Sequence, residues 1–190
     1  LDELTLGNPY EVNTDIGPVI DQAAYDMLHA HADKLDGADW ATHIHSCEDS
    51  GEVPLLFAPR AYEIENISHL EGEVFGPILH VIRYKGGTEP EVIESINNTG
   101  FGLTFGLHTR IDSTMHHVAA RMPNGNIYIN RNTIGAVVGT QPFGGSGLSG
   151  TGPKAGGPNY VLRFAQEQHV SVNTAAAGGN ASLLVIDDAG

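Results

Sequence analysis

One cysteine, Cys47, stands in 190 residues. A single thiol closes no disulfide within the chain and builds no cysteine-rich zinc site, which fits a reducing, cytoplasmic setting. Basic residues are scarce as well: nine Lys and Arg oppose 23 Asp and Glu, a formal net charge of −14. A surface of that sign repels phosphate backbones and anionic membranes, so nucleic-acid binding by this chain is not expected. The acids are scattered rather than gathered into a tail, and their plain consequence is solubility. No apolar run approaches the roughly 18 residues needed to span a bilayer. The opening Leu1-Asp2-Glu3-Leu4 has neither the basic nor the apolar region of a targeting peptide. It reads as the last turn of a helix with no Met before it, and a segment of a longer protein is expected. What remains is a chain 41% hydrophobic and 17% charged, sufficient for a real core.

Turn residues and apolar spacing divide the chain. Asp21 is placed to cap a helix from about Gln22 to Leu35, which Gly37 ends. Ala41 to His45 and Leu55 to Ala58 are expected as short strands flanking a polar turn, and Asn66 to Leu70 as extended or turn-like. Pro77 to Tyr84 has a buried-strand pattern. Glu89-Pro90-Glu91 opens a helix to about Asn97, with acids and Pro at the end the helix dipole favours. A strand over Leu103–His108, a helix capped by Asp112 and running to about Met122, and a strand over Asn126–Asn130 follow. Tyr160 to Phe164 is expected to be helical, and Glu167–Val172 and Ser182–Ile186 to be strands. Strands alternating with helices predict an α/β sandwich with a mostly parallel sheet.

Three stretches could carry chemistry. In Glu71-Gly72-Glu73-Val74-Phe75-Gly76-Pro77, a carboxylate sits two residues from an aromatic ring, and both fall on one side of an extended segment. Ionised Glu accepts two hydrogen bonds and suits a vicinal diol; Phe75 suits a flat heteroaromatic ring. A loop with a core Phe and a solvated Glu fits the motif equally. Gly135 to Gly157 holds nine of the 24 glycines, interleaved with Val137, Val138, Phe143 and Leu148. Phosphate-loop spacing is absent there. The alternatives are a glycine-rich surface hairpin or a substrate-side loop in which Phe143 packs on a ligand. Backbone amides at Gly135-Ala136 could bind a carboxylate. His43, His45 and Cys47 alternate and could share a strand face, but no fourth metal ligand has sensible spacing, so no metal site is expected. His29, His31, His116 and His117 are expected at the surface.

Several of these stretches resemble, in order, the landmarks of the aldehyde dehydrogenase superfamily. They are Leu6-Gly7-Asn8-Pro9, Thr14-Asp15-Ile16-Gly17-Pro18, Glu73-Val74-Phe75-Gly76-Pro77, Phe101-Gly102-Leu103-Thr104, Gly125-Asn126-Ile127-Tyr128-Ile129-Asn130-Arg131, and Pro142-Phe143-Gly144-Gly145 with Ser149-Gly150-Thr151-Gly152. Within the superfamily, the run from Gly135 to Gly157 resembles glutamate-γ-semialdehyde (1-pyrroline-5-carboxylate) dehydrogenases. The tail from Asn173 to Leu184 resembles their bifunctional bacterial form, proline utilization A, in which the dehydrogenase follows an FAD-dependent proline dehydrogenase.

The resemblance implies part of a three-layer α/β sandwich. Residues 1–162 would be the C-terminal portion of the catalytic domain with a substrate loop at 132–157. Residues 163–174 would be a strand pairing with a neighbouring subunit in a homo-oligomer, and 175–190 a linker and the start of a tail. It implies NAD as cofactor and an aldehyde bearing an α-carboxylate as substrate. A thiolate would attack the aldehyde, hydride would pass to NAD⁺, and water would release the acid. Glu73 would hold the nicotinamide ribose and Phe75 contact the nicotinamide. Gly135 and Ala136 would bind the α-carboxylate, and Phe143 would wall the aliphatic chain. The family's nucleophilic cysteine, general base and dinucleotide-binding domain lie before the position of Leu1, and Cys47 matches no catalytic position. The chain alone is therefore expected to be inactive. The alternative is a dehydrogenase-like module of a larger proline utilization A protein that has lost its active site and serves in dimerisation; Glu73, Phe75 and Phe143 argue against it.

Overall fold

A computed structural model describes residues 1–48, 51, 53–137 and 139–173. The expected strand Ser182–Ile186, the 175–190 linker, the tail motif beyond Asn173 and Val138 lie outside the described residues.

The chain opens with a turn rather than helix, Leu4 N–H donating to the Leu1 carbonyl at 3.0 Å. The first helix, α1 (Gln22–Asp36), begins where Asp21 takes extended backbone and its carboxylate accepts from Ala24 N–H at 2.8 Å. Its buried residues, Leu28, Ala32 and Leu35, follow the i, i+4, i+7 spacing of one helix face. They enter two clusters, one with Phe57 and one with Tyr62 and Ile64, and Ile78 packs against both.

Strand β1 (Ala41–Ser46) pairs antiparallel with β2 (Arg60–Ile64), which pairs parallel with β3 (Ile78–Val81). The expected strand over Leu55–Ala58 is not formed. Leu56, Phe57 and Ala58 are buried, but as an irregular segment beginning at Leu55 in the left-handed region, φ 60°. The strand starts only after Pro59, whose carbonyl accepts from Cys47 N–H at 2.9 Å. A bulge in β1 between His43 and His45 breaks the simple alternation. Ile67–His69 is one 3-10 turn.

Helices α2 (Glu89–Asn97) and α3 (Asp112–Ala119) bury Ile93 and Val118 with Met122 against Phe105, Leu107 and Ile127. Asp112 is the first helical residue and not the cap; Ile111 takes that position without a side-chain bond. Beneath them β5 (Thr104–Leu107) pairs parallel with β6 (Asn126–Ile129). The short β4 (Phe101–Gly102) pairs antiparallel with β7 (Ser146–Gly147), which ties the glycine-rich stretch to the sheet region.

The architecture is mixed α/β. Two of the four strand pairings among the described residues are parallel and two antiparallel, so the expectation of a mostly parallel sheet is corrected here. Val161–Phe164 forms a 3-10 turn and takes in Arg163 and Phe164, the first two residues of the expected oligomerisation strand. No ladder forms over 165–173 in the single chain; a strand needs a neighbour to bond to. No helix of the described residues is long and apolar enough to cross a membrane.

Candidate functional site

Glu73 and Phe75 lie on the irregular segment that leads into β3. The Glu73 side chain is exposed, and the Phe75 ring is 81% exposed. Between them Val74 packs inward against the cluster of Leu28, Ala32 and Phe57. Gly76 is pressed against that cluster so closely that a Cβ there would overlap the Leu28 methyls. The segment is anchored at 74 and 76, and presents 73 and 75 outward. Among the described residues no hydrogen bond or ion pair engages the Glu73 carboxylate.

The glycine-rich stretch is held from below. Gly135 is in the left-handed region, φ 63°, and its carbonyl accepts from the Tyr128 hydroxyl at 3.2 Å. Val137 N–H donates to Gln141 Oε1 at 3.0 Å, and Val137's carbonyl accepts from Gln141 N–H at 2.8 Å. Between these anchors the amides of Gly135 and Ala136 donate to nothing among the described residues. Gly135 is exposed and Ala136 is half-buried.

Phe143 is half-buried, and its own N–H and carbonyl exchange 3.0 Å hydrogen bonds with Ala155. Asn126, 9% exposed at the start of β6, donates to the Pro142 carbonyl at 2.9 Å and accepts from Gly144 N–H at 3.2 Å. The Lys154 ammonium donates to the carbonyls of Gly125 and Gly144. A cleft of about 520 Å³ opens beside this knot, lined by residues that include Gly125, Pro142, Ser146 and Lys154. The structure thus groups Gly135, Ala136 and Phe143 on one scaffold hung from β6. No hydrogen bond or ring contact joins them to Glu73 or Phe75 among the described residues.

The remaining candidates separate. His43 packs edge-on against Tyr62, while His45 Nε2 lies 2.6 Å from Asp2 Oδ1. Cys47 is half-buried, and its thiol donates to the Leu1 carbonyl at 3.5 Å. Among the described residues no group of three or more His, Cys, Asp or Glu is arranged to hold a metal. The expectation for α1 is corrected: His29 packs against Tyr25 and Phe57, and His31 Nε2 meets His80 Nε2 at 3.0 Å. Burial holds both partners below the usual imidazole range, helped by Lys34 at His31 and by His31 at His80.

A model described as the aldehyde dehydrogenase family matches residues 1–170. The chain belongs to the aldehyde dehydrogenase family. The bifunctional protein PutA of Rhizobium meliloti is 47% identical over 171 residues, covering 87% of this chain and 14% of that protein. A crystal structure of bifunctional proline utilization A superposes with a TM-score of 0.82 at 50% identity, covering 93% of this chain and 18% of that one. A Thermus 1-pyrroline-5-carboxylate dehydrogenase with bound NAD superposes at 0.75 and 32% identity, covering 85% of this chain and 31% of that one. The chain therefore spans a seventh to a third of the length of these relatives.

Against that family background, the sequence pointed to Gly135, Ala136 and Phe143 but not to what holds them. Tyr128, Asn126 and Lys154 reach 7, 16 and 10 residues along the chain to do so. Asn126 and Tyr128 fall in the Gly125–Arg131 landmark, but nothing in that run shows which backbone groups they reach.

Proposed function

We propose that this chain is the C-terminal part of a proline utilization A-type 1-pyrroline-5-carboxylate dehydrogenase. The whole enzyme would oxidise L-glutamate γ-semialdehyde to L-glutamate with NAD⁺, the second step of proline catabolism, in the cytoplasm. In this reading the chain supplies substrate and cofactor contacts, and the nucleophilic cysteine and dinucleotide-binding domain come from outside it. Residues 1–162 complete a three-layer sandwich, and 163–174 pair with a neighbouring subunit. FAD belongs to a separate proline dehydrogenase domain.

The observation that carries the reading is the pair of unpartnered amides at Gly135 and Ala136, held open by the Tyr128–Gly135 bond. Two N–H dipoles orient a carboxylate without the reach and flexibility of an arginine. Phe143, fixed eight residues on, supplies an apolar wall for the methylenes between carboxylate and aldehyde. Glu73 and Phe75 fit the cofactor: an exposed, unpaired carboxylate can take the ribose diol, and an exposed ring can lie on the nicotinamide. NAD⁺, when bound, accepts the hydride; this chain's residues hold and orient it.

The test is NADH formation by a full-length dehydrogenase carrying residues 1–170. The expected result is a kcat/KM for L-glutamate γ-semialdehyde at least about 100-fold above that for an unsubstituted aliphatic aldehyde of the same length, since the amide pair is left unsatisfied by the latter. The 190-residue chain by itself gives no NADH. Equal use of both aldehydes by the full-length enzyme would refute the reading.

A further inference from the structure

The backbone around Phe143 is bonded along both edges. On one edge Phe143 exchanges two hydrogen bonds with Ala155. On the other, the Pro142 carbonyl and the Gly144 amide point away from Ala155 and meet the carboxamide of Asn126. A primary amide presents an N–H and a C=O side by side on one edge, as a strand residue presents its own N–H and C=O to a neighbour. Asn126 therefore acts as a one-residue strand laid against 142–144. Lys154 closes the ring, its ammonium bridging the carbonyls of Gly125 and Gly144 while its neighbour Ala155 forms the opposite edge. The fit requires glycine at 125, where any Cβ would overlap the Gly144 carbonyl.

We infer that Asn126 is a positioning residue that sets the depth of the substrate pocket by fixing Phe143, and so selects the length of the aldehyde. The inference rests on the reading of Phe143 as the wall of the substrate's aliphatic chain. Every backbone polar group from the Pro142 carbonyl to the Gly144 carbonyl is occupied, by Asn126, Ala155 or Lys154. The Phe143 Cα, and with it the base of the ring, cannot shift without breaking one of them. The Asn126 carboxamide hydrogen-bonds only to the backbone on either side of Phe143, so its effect passes through Phe143.

Two measurements test this. In a full-length dehydrogenase carrying residues 1–170, the Phe143 and Gly144 amides exchange with deuterium at least about 100-fold more slowly than the amides of Gly135 and Ala136. Equal rates overturn the clamp. In a full-length dehydrogenase carrying residues 1–170, kcat/KM is compared for L-glutamate γ-semialdehyde and its homologue with one more methylene. A purely structural role lowers activity equally for both aldehydes. A positioning role changes their ratio, by about fivefold or more in Asn126→Ala. Asn126→Asp keeps the acceptor for Gly144 but sets a carboxylate oxygen against the Pro142 carbonyl, and it shifts the ratio as well. An unchanged ratio in whichever variant folds overturns the inference. An unmodified full-length enzyme that ignores glutamate γ-semialdehyde would count against the proposed function instead, and the exchange test of the clamp would still decide this one.

Discussion

Replacing Gly76 with alanine adds one methyl group where the Leu28 side chain already lies. The new Cβ would stand 2.6 Å from Leu28 Cδ1 and closer still to Cδ2. Leu28 is 0% exposed and locked among Ala32, Phe57, Val74 and Ile78, so it cannot swing into solvent. Gly76 is not among the positive-φ residues, so the cost of alanine is steric and not a matter of backbone strain. Overpacking of this kind costs about 1–3 kcal/mol. Leu28→Ala removes three carbons at roughly 0.8 kcal/mol each and leaves a partly unfilled cavity, for a total of about 3–4 kcal/mol. In the double variant the added methyl enters the vacated space. Its cost should fall short of the sum of the two singles by at least about 1 kcal/mol. The lone tryptophan, Trp40, packs against the neighbouring cluster and stacks on His69 at 4.2 Å, so its fluorescence reports urea unfolding of this region. Additive costs, or a Gly76→Ala variant as stable as the original, would refute the account of why glycine precedes Pro77 and how the Glu73–Phe75 segment is anchored.

The His31–His80 pair should make stability fall in mild acid. Both pKa values lie below the ordinary 6.5, so above that pH neither state gains from them. As pH drops through 6.5 the unfolded chain takes up protons first, and the folded state loses stability until its own lower pKa values are passed. Urea midpoints between pH 8 and 5 check this; His80→Gln should flatten the profile, and parallel profiles would contradict it. Phe75→Ala should leave the unfolding free energy within about 0.5 kcal/mol, because its ring is already 81% exposed. In a full-length dehydrogenase the same change should weaken NAD⁺ binding, measured by fluorescence titration.

Local chemistry made the helices legible. Asp21 as a cap and Glu89-Pro90 as a start are decided within one turn, and α1 and α2 begin where those residues place them. Apolar runs were less informative. Leu56–Ala58 is as buried as a central strand, but Leu55's left-handed backbone and Pro59's missing N–H keep it out of the ladder, which passes to the mixed run Arg60–Ile64. Asp112 has the right side chain for a cap and sits one residue too late. Of the candidate site, Glu73, Phe75, Gly135, Ala136 and Phe143 stood out as residue types in short motifs. Their supports did not, because a contact such as Asn126 with Pro142, 16 residues apart, or Lys154 with Gly125, 29 apart, exists only once the chain has folded.

The position of the product in a full-length dehydrogenase carrying residues 1–170 tests the central claim most directly. A crystal structure with L-glutamate bound should place the α-carboxylate about 2.7–3.2 Å from the amide nitrogens of Gly135 and Ala136, with the methylenes against Phe143. An α-carboxylate held by other groups, with those two amides turned to solvent, would contradict it.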